Sequence, residues 1–193
     1  MRRRAWLWVL VVAAVSAAAP PAAHSAPAVV LDIGGTVANT GDVGDGGFSF
    51  SLAAMWPFGD HYAFGIAGFA DDMGAEIGPL LDPNDGTNLG STELAHRSVI
   101  GGAWRADANL PGRWQLEPYV SGSWGVYRVA DDHLGDRYSA VGSTGFSLGG
   151  GVTRPLGRGS LGAVVRYHRL FNDVVGRYWS AAAEWRWNGS LRP

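Results

Sequence analysis

The stretch Phe48-Ser49-Phe50-Ser51-Leu52-Ala53-Ala54-Met55-Trp56-Pro57-Phe58 sets Phe48, Phe50, Leu52, Ala54, Trp56 and Phe58 at every second position, against Ser49, Ser51 and Ala53. A period of two sends successive side chains to opposite faces of a strand. One face is therefore apolar and aromatic along its whole length while the other is small. Such a strand lies either on a core or against lipid, and the rest of the chain decides which.

Seven further stretches repeat the alternation. Val29 to Ala38 sets Val29, Leu31, Ile33 and Val37 against Asp32, Gly34 and Thr36, and from Tyr62 onward Tyr62, Phe64 and Ile66 alternate with Ala63, Gly65 and Ala67. A fourth strand is expected near His96 to Trp104, where adjacent Val99 and Ile100 leave the register open by one residue; a slip would exchange its faces. The fifth opposes Trp114, Leu116, Val120, Trp124 and Val126 to Glu117, Tyr119, Ser121, Ser123 and Tyr127, and Pro118 within it predicts a bulge. Phe146, Leu148 and Val152 alternate with Ser147, Gly149, Gly151 and Thr153 in the sixth. Leu161, Ala163, Val165 and Tyr167 oppose Gly162, Val164, Arg166 and His168 in the seventh. The eighth sets Trp179, Ala181, Ala183, Trp185 and Trp187 against Tyr178, Ser180, Ala182, Glu184 and Arg186.

The connections alternate between long and short. Gly59-Asp60-His61, Asn109 to Gly112 and Pro155 to Gly157 read as tight turns. Residues 41–47, Asp71 to about Glu93, about Val129 to Ser139, and Asn172-Asp173 read as exposed loops. Even strand number, turns on one side and loops on the other predict an all-β, eight-stranded antiparallel up-and-down transmembrane β-barrel. Segment lengths suit the ~9–11 tilted residues of a spanning strand. A soluble ligand-binding barrel would need the apolar faces inside, where Trp56, Trp124, Trp179 and Trp187 would hardly fit together.

Charge is distributed in keeping with this orientation. Twelve of the seventeen acidic residues fall in the four expected outer loops: Asp42, Asp45, Asp71, Asp72, Glu76, Asp82, Asp85, Glu93, Asp131, Asp132, Asp136 and Asp173. The opposite turns hold Arg105, Arg113, Arg154 and Arg158.

Arg2, Arg3 and Arg4, the apolar run to Ala19 and the small residues of Ala23-His24-Ser25-Ala26 have the form of a secretory leader, expected to be cleaved after residue 25, with residues 26–193 forming the barrel domain. Without the leader arginines the formal charge moves from −2 to −5, which argues against a nucleic-acid partner. All fifteen basic residues are arginine, and nothing in the physical reading explains the missing lysine. The chain has no cysteine, so disulfides, thiolate metal sites and cysteine nucleophiles are excluded.

An eight-stranded barrel is just wide enough to be filled by its own side chains. The expected register sends Asp32, Glu117, Arg166, His168, Glu184 and Arg186 into the lumen, where ionised groups must pair or cost several kcal/mol each. These six residues are the candidate lumen network, a plug of salt bridges; a gated ion path is the alternative use of the same groups. No catalytic, cofactor or metal site is expected. Asp82-Pro83-Asn84-Asp85-Gly86-Thr87-Asn88 offers oxygen donors but lacks the spacing and terminal glutamate of a helix-loop-helix calcium loop.

The leader, the eight alternating strands, the long outer loops and the final strand Tyr178-Trp179-Ser180-Ala181-Ala182-Ala183-Glu184-Trp185-Arg186-Trp187 resemble the small eight-stranded outer-membrane β-barrel proteins of Gram-negative-type bacteria. The resemblance implies residence in the cell outer membrane and contact with its lipid and lipopolysaccharide. It also implies insertion by the barrel-assembly machinery, although Asn188 to Pro193 follow Trp187 where the family usually ends on an aromatic residue. Barrel-type lipid A deacylases also place a histidine near the outer end of a late strand, as His168 is placed, with a nucleophilic serine two residues on; Leu170 stands there instead. The expectation is a non-enzymatic barrel with an envelope-structural or surface-interaction role through acidic loops that can gather divalent cations. A narrow solute channel and, behind it, a lipid-modifying enzyme are the alternatives.

Overall fold

In the computed structural model, which describes residues 27–38, 46–83, 85–112, 115–133, 139–172 and 175–187, the chain is built from eight antiparallel strands. They are β1 (Ala28–Ala38), β2 (Gly47–Phe58), β3 (Tyr62–Leu81), β4 (Asn88–Asn109), β5 (Glu117–His133), β6 (Ser139–Leu156), β7 (Gly159–Leu170) and β8 (Arg177–Trp187). Each pairs with its neighbours in the chain, and β1 closes on β8 through pairs such as Asp32 with Glu184 and Ile33 with Ala183. Closure leaves no unpaired edge around the wall, the condition for strands to cross lipid.

The alternation of the sequence becomes an inside and an outside. Phe50, Leu52, Phe64, Val120, Trp124, Val165 and Trp179 are exposed on the outer wall, while Val30, Ala53, Met55, Tyr119, Val164 and Tyr178 are buried within. In β4 the ambiguity of one residue resolves cleanly, with Val99 0 % and Ile100 58 % exposed. Both ends of the barrel strands, Ala28 and Trp187, lie at the rim of the short turns, where Gly59 at φ 66° and Gly157 at φ 61° supply the left-handed residues those turns need.

Several expectations about the connections are corrected. Asp71 to Glu93 is not an exposed loop: β3 and β4 continue through most of it, pairing from Asp71 with Val99 to Leu81 with Asn88. The Gly- and Asp-rich composition is absorbed by register shifts between Asp72 and Ala75, Glu76 and Ile77, and Leu80 and Leu81, where bulges twist the ribbon. The pairing of β2 with β3 ends at Ser49 with Asp71, and that of β4 with β5 at Ala95 with His133. Residues 72–94 consequently stand above the wall as a two-stranded ribbon. β5 likewise runs to His133 and β6 starts at Ser139, ahead of the expected Phe146.

Pro118 causes no bulge; the β5–β6 register passes through it unshifted, pairing it with Val152. Pro118 is the second residue of β5, near a strand start where a missing N–H is tolerated, and its carbonyl accepts from Leu110 N at 2.8 Å. The leader, the segment with Asp42 and Asp45, Trp114, Asp136, Asp173 and the tail from Asn188 lie outside the described residues.

Candidate functional site

Inward-facing residues of six strands meet in the half of the lumen nearest the short turns. Arg105 of β4 donates from Nε and Nη2 to the two carboxylate oxygens of Asp107, both at 2.9 Å, and from Nη2 to Glu184 Oε2 at 3.1 Å. Arg186, two residues beyond Glu184 on the same face of β8, donates from Nε to Glu184 Oε1 at 2.6 Å and from Nη2 to Asp107 Oδ2 at 3.0 Å. Arg166 of β7 reaches Asp32 Oδ2 of β1 at 2.9 Å, an oxygen that also accepts from Ser51 Oγ at 2.5 Å. Tyr119 of β5 donates to Glu184 Oε2 at 2.6 Å and lays its ring 3.9 Å beneath the Arg186 guanidinium. Three arginines thus balance three carboxylates, with Glu184, 0 % exposed, touching every arginine.

The wall has been thinned to admit these side chains. A Cβ on Gly151 of β6 would lie 2.6 Å from both Cε1 and the hydroxyl of Tyr119, and one on Gly149 would lie 2.8 Å from Cγ of Arg166. Inward glycines on one strand therefore make room for an aromatic ring and an arginine stem from its neighbours.

A second polar layer lies above the first. Asp71 accepts from Ser49 Oγ and Tyr178 Oη, each at 2.6 Å, and His168 stacks on the Tyr178 ring with centroids 4.3 Å apart while sharing a 2.9 Å hydrogen bond with Ser180. Between the layers is a polar cavity of about 30 Å³ bordered by Arg166, His168, Ser121, Ser123 and Ser147. Of the groups on residues that border it, Arg166 Nη2 and His168 Nδ1 have no protein hydrogen-bond partner. A buried water, which can donate and accept, suits such a mixed set of groups, and the volume admits one or two. Above this, Met73, Val99, Tyr127, Val129, Leu170, Val175 and Tyr178 pack into an apolar plug at the long-loop end.

Of the residues expected in the lumen, the structure brings Asp32, Arg166, Glu184 and Arg186 into one cluster and puts His168 in the layer above. Glu117 is the exception. It shares the inward alternation of Tyr119 and Ser121, but it is the first residue of β5 and is exposed at the rim. Alternation gives a residue's face and not its depth.

Arg105 and Asp107 were expected neither in the network nor inside; Arg105, read as a turn residue, is buried in the lumen. The signal that could have found them is the register of β4, for an inward Val99 makes residues 101, 103, 105 and 107 inward too. Asp71, read as a loop residue, is buried as well because β3 continues past it.

At the hairpin tip, Asp82 O accepts from Gly86 N at 2.9 Å, while Asp85 and Asn88 accept from Thr87 N and Gly90 N, each at 2.9 Å. These oxygens cap their own turn. His168 and Ser180 are a base and a hydroxyl in contact, but both are buried below the apolar plug, which a substrate would have to displace. The larger concavity, about 410 Å³, is an open furrow on the outer wall bordered by Tyr62, Ala106, Val120 and Leu148.

No protein-family model matches the chain, and neither does any curated protein. Among solved structures, neisserial surface protein A (NspA) superposes with a TM-score of 0.59 at 16 % identity, covering 84 % of this chain and 95 % of that one. Ail, the attachment invasion locus protein of Yersinia pestis, was crystallised with the heparin analogue sucrose octasulfate; it gives a TM-score of 0.46 at 13 % identity, over 84 % of this chain and 97 % of its own. The likeness to NspA is one of fold.

Proposed function

We propose that this chain, which has the fold of the small eight-stranded outer-membrane β-barrels, spans the outer membrane as a sealed, non-enzymatic barrel and acts through what it projects from the cell surface. The observation that carries the reading is the two-sided wall. Its exterior is an apolar belt and its interior is filled by a charge-balanced plug under an apolar one. An exterior of this kind is costly in water and favourable in lipid. A filled interior offers no route for solutes, which disfavours the channel.

What remains to act is the outer surface. The ribbon of residues 72–94 rises above the wall and ends in a tip with exposed Asp85 and with Leu81 and Leu89 exposed beside it. Acidic groups there can gather divalent cations, and exposed leucines at a hairpin tip are suited to contact another surface. A cleaved leader and insertion by the barrel-assembly machinery belong to the same reading.

The test is to express the chain in an outer membrane and compare gel mobility with and without boiling, then to record from planar bilayers and to replace residues 75–95 by a short turn. A heat-dependent shift, no discrete conductance and a loss of cell-surface contacts on shortening the ribbon support the proposal. Soluble periplasmic protein with no shift overturns the membrane reading. Discrete conductance, with the shortened ribbon having no effect, replaces surface interaction by transport.

A further inference from the structure

The outer wall of β7 and β8 is graded along its length. Its directly opposed outward pairs run Leu161 with Trp185, Ala163 with Ala183, Val165 with Ala181, Tyr167 with Trp179 and finally Arg169 with Arg177. Trp187, one step below the first pair, is exposed too. From Trp187 to Trp179 the strand climbs eight residues. At ~3.3 Å each and the usual tilt that is about 20 Å of height, close to the ~25 Å apolar band of a membrane barrel. The Tyr167–Trp179 pair, with ring centroids 5.1 Å apart, is therefore placed at the outer interface, and the two arginines lie one step above it, at headgroup depth.

Arg169 and Arg177 are exposed, face the same way and are directly opposed across the ladder. Like charges at that position repel. In the lumen, by contrast, each guanidinium meets a carboxylate. Neither Arg169 nor Arg177 has an ion-pair partner among the described residues. Two outward arginines directly opposed across the ladder, above an aromatic pair and an apolar stripe, are matched by an anion whose own attachment is apolar.

We propose that Arg169 and Arg177 form a clamp for the phosphate of a phosphorylated lipid in the outer leaflet. The guanidinium groups donate to its oxygens, and the acyl chains lie along Tyr167, Trp179, Val165 and Val37. The occupant is a lipid rather than free phosphate because the clamp is continuous with the apolar belt. The inference rests on the membrane reading and gives it one specific lipid contact.

The folded, full-length barrel in detergent would be titrated with diphosphorylated lipid A, with the same lipid after removal of its phosphates, and with sodium phosphate, the bound species being counted by native mass spectrometry. Heat-modifiable mobility would be checked for every variant. The phosphorylated lipid is expected to be retained in preference to both other probes. R169Q/R177Q should weaken its binding about 30-fold, as expected for two basic groups at a charged lipid surface. R158Q, which removes an exposed arginine from the short-turn rim, should leave it unchanged. Equal binding by R169Q/R177Q, or by the dephosphorylated lipid, overturns the clamp while leaving the membrane reading standing. Displacement by sodium phosphate at matching concentration overturns the lipid as occupant. Loss of the heat shift in the unmodified chain overturns the membrane reading and the clamp with it.

Discussion

Arg105 Nη2 and Glu184 Oε2 meet at 3.1 Å across the lumen, from β4 and β8, 79 residues apart in the chain. The contact joins opposite walls of the barrel, so the plug braces the cylinder as well as filling it. Neither group could be buried alone at tolerable cost, since a lone ion in low dielectric is penalised by several kcal/mol.

Glu184→Gln should therefore be among the most damaging substitutions in the chain. It leaves the three arginines of the cluster with two carboxylates, Asp32 and Asp107, and takes the charged acceptor from Tyr119, Arg105 and Arg186 at once. A loss of about 3–5 kcal/mol is expected, read as a lowered urea midpoint for unfolding from lipid vesicles. Adding Arg186→Gln should cost less than the sum of the two single changes because it restores neutrality. Strict additivity would show that the charges are not coupled.

Gly151 is expected to be intolerant of even one methyl group. The added Cβ of Gly151→Ala would fall 2.6 Å from Tyr119 and 2.6 Å from the Ala163 carbonyl oxygen, which belongs to the wall and cannot swing aside. Displacing the ring takes one of its three hydrogen-bond donors from Glu184, and the combined overpacking should destabilise by about 1–3 kcal/mol. On the same strand a methyl group at Gly142 would meet nothing within 4 Å, and Gly142→Ala should be close to neutral in the same urea titration. Similar costs at the two positions would rule out crowding as the cause.

Different parts of this molecule were legible in the sequence to different degrees. β2 reads directly, because its apolar stripe is unbroken and one-residue slips would put serines on the apolar outer wall. β4 does not, because Val99 and Ile100 are both apolar and only pairing with β3 and β5 decides between them. That one ambiguity hid Arg105 and Asp107, which tie the plug to the β4 wall. Asp71 escaped for a related reason: its partner Tyr178 is 107 residues away, and the glycines and aspartates that follow it have the composition of a loop. Local composition reports what a segment can do in isolation, while the length of a hairpin is set by the strand opposite.

At the hairpin tip, hydrogen bonds from the Thr87 hydroxyl and backbone N–H hold the exposed Asp85 carboxyl below its ordinary value. A group depressed in the folded state contributes its stability above the ordinary carboxylate pKa and loses it as pH falls through the lowered value. The turn from Asp82 to Thr87 should accordingly stay ordered at neutral pH and loosen only in acid, with faster amide exchange at Thr87 once the intrinsic pH dependence of exchange is divided out. Asp85→Asn should flatten that response. An unchanged acid response in Asp85→Asn would assign the turn's order to its backbone bonds alone.

The membrane reading makes a sharp demand of two leucines that a soluble barrel would treat alike. Leu52 is 49 % exposed at the middle of β2, flanked on the outer wall by Phe50 and Ala54, whereas Leu89 is 61 % exposed near the tip of the β3–β4 ribbon. Neither supports a core, so in water replacing either by arginine would change stability little. In a bilayer the positions are no longer equivalent, for Leu52 faces hydrocarbon and Leu89 stands clear of it. Leu52→Arg should destabilise the barrel by about 2–4 kcal/mol and Leu89→Arg by less than about 1 kcal/mol, both measured by urea titration in lipid vesicles. If Leu52→Arg is as harmless as Leu89→Arg, the exposed belt does not face lipid.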